Sequence, residues 1–483
     1  MKNKFISNLI LLLSLNLPIK ALWILYVDRK VYNTLGQDVY GEYASILSFS
    51  FMFHILLDLG ISNYNNRAIA QNPRLLNIHY PNIILIKAIL TGLYLSVVFI
   101  SANLLQFGPQ SILLLKLLAI NQVLNVFIYY NKTNLSGLHL FRIDSIFTVL
   151  DRVIAGLLCV LFFADLLPIN FDIEWYIIFQ MIGYLCSAII STAIILSKVY
   201  WPEFRLDLKL VLDIVKKSLP FTLLGILMVM YSKVDIVMIK ILLGDKGNQT
   251  AGIYAGAYKL LDAGVMICFL FASLLLPIFS RMIAQNENIK GLITFTVKSL
   301  IIPISIFVII ASSMSEFIMN QMYKSAEGEM YITFSILIYC FIPLACQYTF
   351  GTLLTAGNHL KVLNITSAIG LLLNIILNAL LIPIYGAKGA ALATISTQMA
   401  TNGIQLIIAY RKYNLKINNH YWFKSLILLV LLITMAVVQP YWSVSGFIKL
   451  PLLLTSGLAA AYLLKLFDIE SVLSIVALKK ENK

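Results

Sequence analysis

Long apolar stretches alternate with short polar ones along nearly the whole chain. Each stretch is about 20 residues or longer, enough for an α-helix to cross a hydrocarbon layer about 30 Å thick. A helix is also the open-chain form that satisfies its own backbone hydrogen bonds in lipid. The sequence therefore predicts an all-α, polytopic membrane protein with 14 transmembrane helices, here called spans 1 to 14. The predicted spans are 5–27, 41–62, 81–105, 110–130, 143–167, 174–197, 217–243, 251–280, 291–314, 330–355, 361–384, 387–410, 423–442 and 446–467.

The first stretch has a charge pattern similar to that of a signal peptide. Lys2 and Lys4 precede it, but Pro18 and Lys20 interrupt it and no small-residue cleavage site follows. We therefore expect an uncleaved first span.

Basic residues fall mainly on one side of the predicted spans. With the N-terminus inside, the inner segments hold 22 of the 36 Lys and Arg residues and the outer segments hold 7. Cytoplasmic loops carry an excess of Lys and Arg, so both termini are predicted to be cytoplasmic.

The composition agrees with a membrane protein and changes how the net charge is interpreted. Hydrophobic residues make up 60% of the chain and charged residues 12%, whereas about a quarter of a soluble domain is charged. The net charge of +14 mostly reflects topology. No segment is long or polar enough to form a basic domain surface, so nucleic acid is excluded as a partner.

Seven cations lie within the predicted spans, more than three residues from either end, and need an explanation. A Lys or Arg at bilayer depth costs about 3 kcal/mol on insertion scales, so each should face a polar cavity, pair with a carboxylate, or extend to the interface. Lys20 and Lys233 lie far from a helix end, which favours a cavity. The remaining five leave both structural and functional roles open: Lys87, Lys116, Arg152, Lys259 and Lys298.

Carboxylates within the spans offer two alternatives of their own. Asp151 adjoins Arg152, and Asp262 lies one helical turn after Lys259, so either could simply hold its cation. An intramembrane carboxylate can also bind a coupling ion, either a proton or sodium. The candidates for ion coupling are Asp58, Asp151, Asp235 and Asp262.

Several short motifs recur about 210 residues apart. These repeats predict two six-span lobes in the same orientation, 1–205 and 206–415, followed by two extra transmembrane helices and a cytoplasmic tail in 416–483. Parallel repeats occur in transporters, with substrate bound between the halves. At the same offset Lys20 corresponds to Lys233, which predicts two cations facing one central cavity. The recurring motifs are Leu35-Gly36 with Leu243-Gly244, Gly41 to Ala44 with Gly252 to Ala255, Arg67 to Asn72 with Arg281 to Asn286, and Gly137 to Leu140 with Gly357 to Leu360.

One segment near the second lobe's end is the clearest motif. Between Asn378 and Thr394, Pro383 ends a helix while Gly386 and Gly389 allow a tight outer turn. Small residues after the turn allow close packing. Together with the layout of the whole chain, this segment resembles the polysaccharide exporters, or lipid-linked oligosaccharide flippases, of the multidrug/oligosaccharidyl-lipid/polysaccharide (MOP) superfamily, which include O-antigen flippases. The resemblance implies a MATE-like MOP fold.

The resemblance also implies an activity and its partners. It predicts a flippase in the bacterial inner (cytoplasmic) membrane. This flippase would move an undecaprenyl-pyrophosphate-linked oligosaccharide repeat unit to the outer leaflet for O-antigen or capsule assembly. Membrane lipids, the polysaccharide polymerase and the chain-length machinery are the other expected partners. Two alternatives are a multidrug or other small-molecule exporter of the same superfamily and a membrane-embedded polymerase or glycosyltransferase.

The residues favour an anionic substrate and a non-enzymatic role. A cation-lined cavity attracts pyrophosphate and repels cationic drugs. The short outer loops, with scattered histidines and no nucleophile or metal-binding motif, argue against an enzyme, a metal site or any cofactor beyond an ion gradient. The five cysteines lie in predicted spans and are expected to be packing residues. The substrate-binding candidates are Lys20, Lys233, Arg152, Lys259, Lys116 and Lys298.

Overall fold

The computed structural model describes residues 16, 18–166, 168, 170–199, 226–227, 229–415 and 419–467. Within these ranges the regular secondary structure is helical, and no β-strand occurs. Several predictions lie outside them: the start of span 1, the lobe boundary near 205, the start of span 7 and the cytoplasmic tail.

Apolar helices of membrane-spanning length form the architecture. Ten occur among the described residues, or eleven if the bent pair at the N-terminus counts as one span. We number the helices of this bent pair α1 and α2, and the ten that follow α3 to α12. Their bounds are Pro18–Met52 (α1), His54–Gln71 (α2), Pro73–Leu104 (α3), Pro109–Gly137 (α4), Phe141–Phe163 (α5), Ile173–Leu196 (α6), Val229–Ala284 (α7), Lys290–Ser313 (α8), Gly328–Ala356 (α9), Leu360–Lys412 (α10), Asn419–Val438 (α11) and Gly446–Leu463 (α12).

Glycines in unusual backbone conformations divide the three longest helices. Gly36 in α1, Gly244 in α7 and Gly386 in α10 all have positive φ, at 82°, 52° and 59°. Glycine adopts this region without steric cost, so each marks a sharp turn in an otherwise continuous helix. The breaks fall between spans that the sequence separates. A count of fourteen stays a prediction, because span 1 begins outside the described residues.

The turn at Gly386 matches the motif that suggested it. A Cβ atom on Gly389 would lie 2.2 Å from the Leu381 carbonyl oxygen, so the chain returns on itself where only glycine fits. This confirms the expected tight turn in the Asn378–Thr394 segment.

Contacts divide the chain into two compact units, Met1–Gly252 and Ile253–Lys483. In the first unit α4 is central and packs against α1, α2 and α6, while α5 packs on α6. The predicted lobe boundary near 205 lies outside the described residues, so the division into lobes 1–205 and 206–415 stays a prediction.

In the second unit the two C-terminal helices pack on α8. Both α11 and α12 contact it. A buried apolar cluster joins the three, with Ile306, Ile310, Leu432 and Leu453 at its centre. Spans 13 and 14 are therefore integral parts of this unit.

A loop with a repeated sequence follows the fourth span of each half. Backbone geometry aligns its two copies differently from residue identity. Left-handed backbone occurs at His139 in the first copy and at Asn358, not His359, in the second. The turn hydrogen bonds agree, since His139 N–H donates to Ser136 O and Asn358 N–H to Thr355 O. Backbone geometry thus pairs His139 with Asn358, one residue away from the pairing by residue identity.

Candidate functional site

A cluster of charged side chains forms in the first unit from three helices that are separate in sequence. Lys20 of α1, Lys132 of α4 and Arg152 of α5 lie close enough to interact electrostatically, together with Asp151. Asp144 of α5 interacts with Lys132 in the same way. We call these five residues the cationic cluster, because three cations meet two carboxylates. All five are half-buried.

Close helix packing positions the α5 side of this cluster. Gly183 of α6 lies against the backbone of Asp151, and a Cβ atom there would be 2.3 Å from the Asp151 carbonyl oxygen. This contact draws the start of α5 against α6. Asp151 and Arg152, on the first turn of the Leu150–Phe163 helical segment, are held in place by it.

Lys132 is a member of the cluster that sequence reasoning assigned to a cytoplasmic loop. Helix α4 continues to Gly137, seven residues beyond the predicted end of span 4. The polar residues from Asn131 to Asn134 interrupt the apolar stretch, so the hydrophobicity pattern ended span 4 before this extension. The buried Asn131 and Asn134 are satisfied inside the protein, the former by Ser191 and Thr192 and the latter by Asn65 and the Tyr130 carbonyl.

Asp58 and Lys87 form a second charged pair, deeper in the first unit. The Lys87 ammonium lies 2.6 Å from an Asp58 carboxylate oxygen, and the two side chains are 7% and 10% exposed. Ser62 donates to Asp58 through its hydroxyl and its backbone N–H, and the Lys87 ammonium lies 5.2 Å from the centre of the Tyr130 ring. The possibility that Lys87 extends to the interface is thus excluded. Asp58 therefore forms a salt bridge with Lys87. A role for Asp58 in ion coupling stays a prediction.

A buried carboxylate that sequence reasoning missed lies near the end of span 1. Asp28, which is 3% exposed, ends a π-helical turn that begins at Trp23. The Tyr176 hydroxyl donates to it at 2.6 Å and the Tyr40 hydroxyl at 3.4 Å. Asp28 falls at a predicted helix end beside Arg29, so the pattern placed it in an outer loop. Tyr40, which directly precedes the repeated motif at Gly41 to Ala44, was the available signal.

Lys233 and Asp235 lie on the part of α7 that belongs to the first unit. The Lys233 ammonium is 5.9 Å from the centre of the Phe51 ring, and Asp235 is 3% exposed. Lys20 instead belongs to the cationic cluster. The expectation that Lys20 and Lys233 face each other across one cavity stays a prediction.

The remaining candidates are spread over both units. Lys116 is exposed on α4, while Lys259 and Asp262 are half-buried on the part of α7 in the second unit. Lys298 lines a cavity of about 440 Å³ between α8 and α11. The structure therefore brings together Lys20, Arg152 and Asp151, and it places Lys298 beside a C-terminal helix.

A close backbone contact forms between helix α1 and the segment of α7 that follows Gly244. A Cβ on Gly41 would lie 1.9 Å from the Asn248 carbonyl oxygen, and a Cβ on Gly252 would lie 2.0 Å from the Gln37 carbonyl oxygen. We call this contact of residues 37–41 with 248–252 the glycine crossing. Gly41 and Gly252 are equivalent positions of the sequence repeat.

An ion pair accompanies the glycine crossing. The Lys240 ammonium lies 3.3 Å from a Glu42 carboxylate oxygen and donates to the Ser111 hydroxyl at 3.0 Å. Ser111 in turn donates to Glu42. The three side chains connect α7, α1 and α4 within the first unit.

Metal-binding groups do not converge in the part of the chain that the structure describes. There, no group of three or more His, Cys, Asp or Glu side chains could hold a metal ion. Three of the five cysteines are buried: Cys159, Cys268 and Cys340.

Comparisons with known proteins bear on this arrangement. A family model described as "Polysaccharide biosynthesis protein" matches residues 5–283. An uncharacterized membrane protein of Methanocaldococcus jannaschii, MJ1375, is 28% identical over 209 residues, which are 42% of this chain and 47% of that protein. The match thus spans about half the length of that curated relative.

Two solved structures share the architecture. One is a lipid II flippase, MurJ, in an inward closed conformation, with a TM-score of 0.68 and 14% identity over 96% of this chain and 97% of that one. Another is a multidrug resistance MATE family transporter of the MOP superfamily in an inward-facing conformation, with a TM-score of 0.60 and 12% identity over 84% of this chain and 98% of that one. These similarities confirm the MATE-like helical fold.

Proposed function

Because this chain belongs to the family of polysaccharide biosynthesis proteins, we propose that it is a flippase for a lipid-linked oligosaccharide. The substrate we infer is an undecaprenyl-pyrophosphate-linked repeat unit, which is moved from the inner to the outer leaflet of the cytoplasmic membrane. The translocated repeat unit is then used to assemble a surface polysaccharide, either O-antigen or capsule. The MOP-type fold and the charges of the first unit support this proposal.

The observation that carries the proposal is the cationic cluster. Lys20, Lys132 and Arg152 gather at one place within a membrane-embedded unit, and two carboxylates offset them only in part. Intramembrane charges that lie together mark a substrate or ion pathway. A pyrophosphate is a compact dianion that guanidinium and ammonium groups bind through charge-assisted hydrogen bonds. An excess of cations favours it over the cationic drugs that other exporters carry.

Alternating access supplies the transport step in this proposal. The glycine crossing brings two helices within backbone contact, and the Lys240–Glu42–Ser111 group lies beside it. In the topology proposed from the distribution of Lys and Arg, both termini are cytoplasmic and the crossing lies at the outer end of the spans. Closing the crossing would seal the outer end, and separating it would release the head group outward.

In this proposal, carboxylates within the protein interior and half-buried carboxylates of the spans bind the coupling ion. Asp28 joins Asp58, Asp151, Asp235 and Asp262 as a candidate, because its tyrosine hydrogen bonds hold a carboxylate inside the unit. A proton or a sodium ion is the coupling ion in this proposal. The polymerase and the chain-length machinery are the protein partners that would receive the product.

Lipid analysis of cells tests the transport proposal. Native cells depleted of the protein should accumulate undecaprenyl-pyrophosphate carrying one complete repeat unit, measured by lipid extraction and mass spectrometry. Wild type should clear this pool. We expect the Lys20→Gln/Arg152→Gln double variant to leave most of it, since each lost charged hydrogen bond weakens binding by about tenfold.

The matched control is Lys198→Gln, which removes an exposed lysine just after α6 in the same unit and should clear the pool as wild type does. An unchanged lipid pool on depletion would contradict the flippase and favour a small-molecule exporter. A pool stopped at an incomplete sugar would favour an assembly enzyme.

A further inference from the structure

A cavity in the second unit is built from helices that no step of the proposed transport uses. It measures about 440 Å³ and lies between α8 and α11, with Tyr410 of α10 and Leu466 after α12 closing its sides. This volume falls in the range of ordinary ligand sites. The floor is part of the buried apolar cluster, where Leu428, Leu432 and Leu466 are 5%, 2% and 1% exposed.

Among the described residues that line the cavity, one is charged. Lys298 lines it from α8, and its ammonium lies 5.7 Å from the centre of the Tyr421 ring of α11. Thr294 and Ser425 add hydroxyl groups to its lining, while the Ser305 hydroxyl donates to the Ile301 carbonyl at 2.8 Å. The site thus combines one cation and hydroxyl groups with a long aliphatic floor.

The backbone around Lys298 is itself irregular. Residues Val297–Ile301 form a π-helical turn, and Pro303 follows at the start of the next α-helical segment. Proline has no N–H for the Ser299 carbonyl and its ring would crowd that carbonyl, so the widened turn accommodates it. Such turns are common at functional sites, and this one places Lys298 in the cavity wall.

The charge around the cavity is mostly positive. Neither the segment 290–313 nor the segment 405–438 contains an Asp or a Glu. Lys290, Arg411, Lys412 and Lys424 lie toward the same end of these helices, where Glu287 lies in an exposed turn before α8. In the proposed topology this is the cytoplasmic end.

From this arrangement we propose that the cavity binds an anionic phospholipid of the inner leaflet. The phosphodiester pairs with Lys298 and the hydroxyl groups, and one acyl chain lies along the aliphatic floor. Basic pockets between transmembrane helices on the cytoplasmic side bind such head groups. The lipid would enter the cavity from the bilayer past Tyr421 and Leu429, whose side chains are 37% and 44% exposed. Spans 13 and 14 then carry a lipid site as well as packing surface.

Native mass spectrometry of the purified full-length protein tests the site, independently of any flippase activity. Dioleoylphosphatidylglycerol and dioleoylphosphatidylcholine differ in head-group charge and share their acyl chains. We expect wild type to retain phosphatidylglycerol, and Lys298→Gln to retain about tenfold less, as the loss of one charged contact predicts. Lys116→Gln, a span lysine in the other unit, should retain it as wild type does.

A second variant separates binding from folding. Ser425→Trp fills the rim, where residue 425 is exposed, and should also reduce retention of phosphatidylglycerol without lowering the melting temperature in lipid-free detergent. Equal retention of the two lipids by wild type, or equal loss in Lys298→Gln and Lys116→Gln, would overturn the proposal.

Discussion

Individual buried charges in this protein are matched by specific partners. Asp58 accepts hydrogen bonds from Lys87 and from Ser62, and Asp28 accepts from Tyr40 and Tyr176. An unpaired charge at this depth would be costly, because neither water nor lipid would compensate it. Ser62 and Tyr40 lie on the same helices as these carboxylates, whereas Lys87 and Tyr176 come from other helices. The sequence identified Asp58 and Lys87 as charges within the spans, missed Asp28, and left the pairing open.

The Asp58–Lys87 pair gives a prediction at this scale. Asp58→Asn leaves Lys87 buried without its counter-ion, and breaking a buried pair costs about 3–5 kcal/mol. We expect a marked fall in the melting temperature of the detergent-purified protein. The double variant Asp58→Asn/Lys87→Met removes both charges and should recover most of the loss. If the double variant is as unstable as Asp58→Asn, the pair does not account for the stability of this region.

Helices in the first unit approach most closely where glycine removes the side chain. At the glycine crossing the repeat-equivalent Gly41 and Gly252 each face a carbonyl oxygen of the other segment. The sequence repeat singled out both positions, since Gly41 to Ala44 matches Gly252 to Ala255. It did not show that the two copies meet each other, because a repeat defines equivalence and not contact.

Gly41→Ala tests the crossing. Its Cβ would lie 1.9 Å from a backbone oxygen, so the two segments must separate. We expect a destabilisation of about 1–3 kcal/mol, the usual cost of overpacking, seen as a lower melting temperature. Gly92→Ala is the control. Apart from the adjoining backbone of α3 itself, no described heavy atom lies within 4 Å of its Cβ position, so this variant should be neutral or stabilising by up to about 1 kcal/mol.

A melting temperature that falls equally in both glycine variants would contradict this prediction, because helix propensity favours alanine and the crossing would not account for the loss. The same pair of variants, assayed for clearance of the lipid-linked pool, would report whether the crossing takes part in transport.

At the scale of the whole molecule, the distribution of Lys and Arg predicts the orientation of the protein in the membrane. Seven basic residues in outer segments against 22 in inner ones favour cytoplasmic termini. The structure adds that Lys240, counted among the outer cations, pairs with Glu42 in place of facing solvent. Removing it from the outer count strengthens the asymmetry.

Cysteine labelling in intact cells measures this orientation. In a variant lacking the five native cysteines, Lys246→Cys lies in an exposed turn predicted to be outside and Glu287→Cys in an exposed turn predicted to be inside. A membrane-impermeant maleimide should label Lys246→Cys in intact cells and Glu287→Cys only after permeabilisation. The reverse pattern would invert the topology and place the glycine crossing at the cytoplasmic end.

The sequence by itself determined the helical membrane class, the approximate spans, the repeats and the turn at Gly386, because hydrophobic length and glycine conformation are local properties. It also identified Lys20, Arg152 and Lys298 as cations in unfavourable surroundings. Only the tertiary structure decided that Lys132 joins Lys20 and Arg152, that Asp58 holds Lys87, and that Lys298 lines a cavity with Tyr421. Those outcomes depend on which helix faces lie together, and packing between distant segments determines that while periodicity along one segment does not.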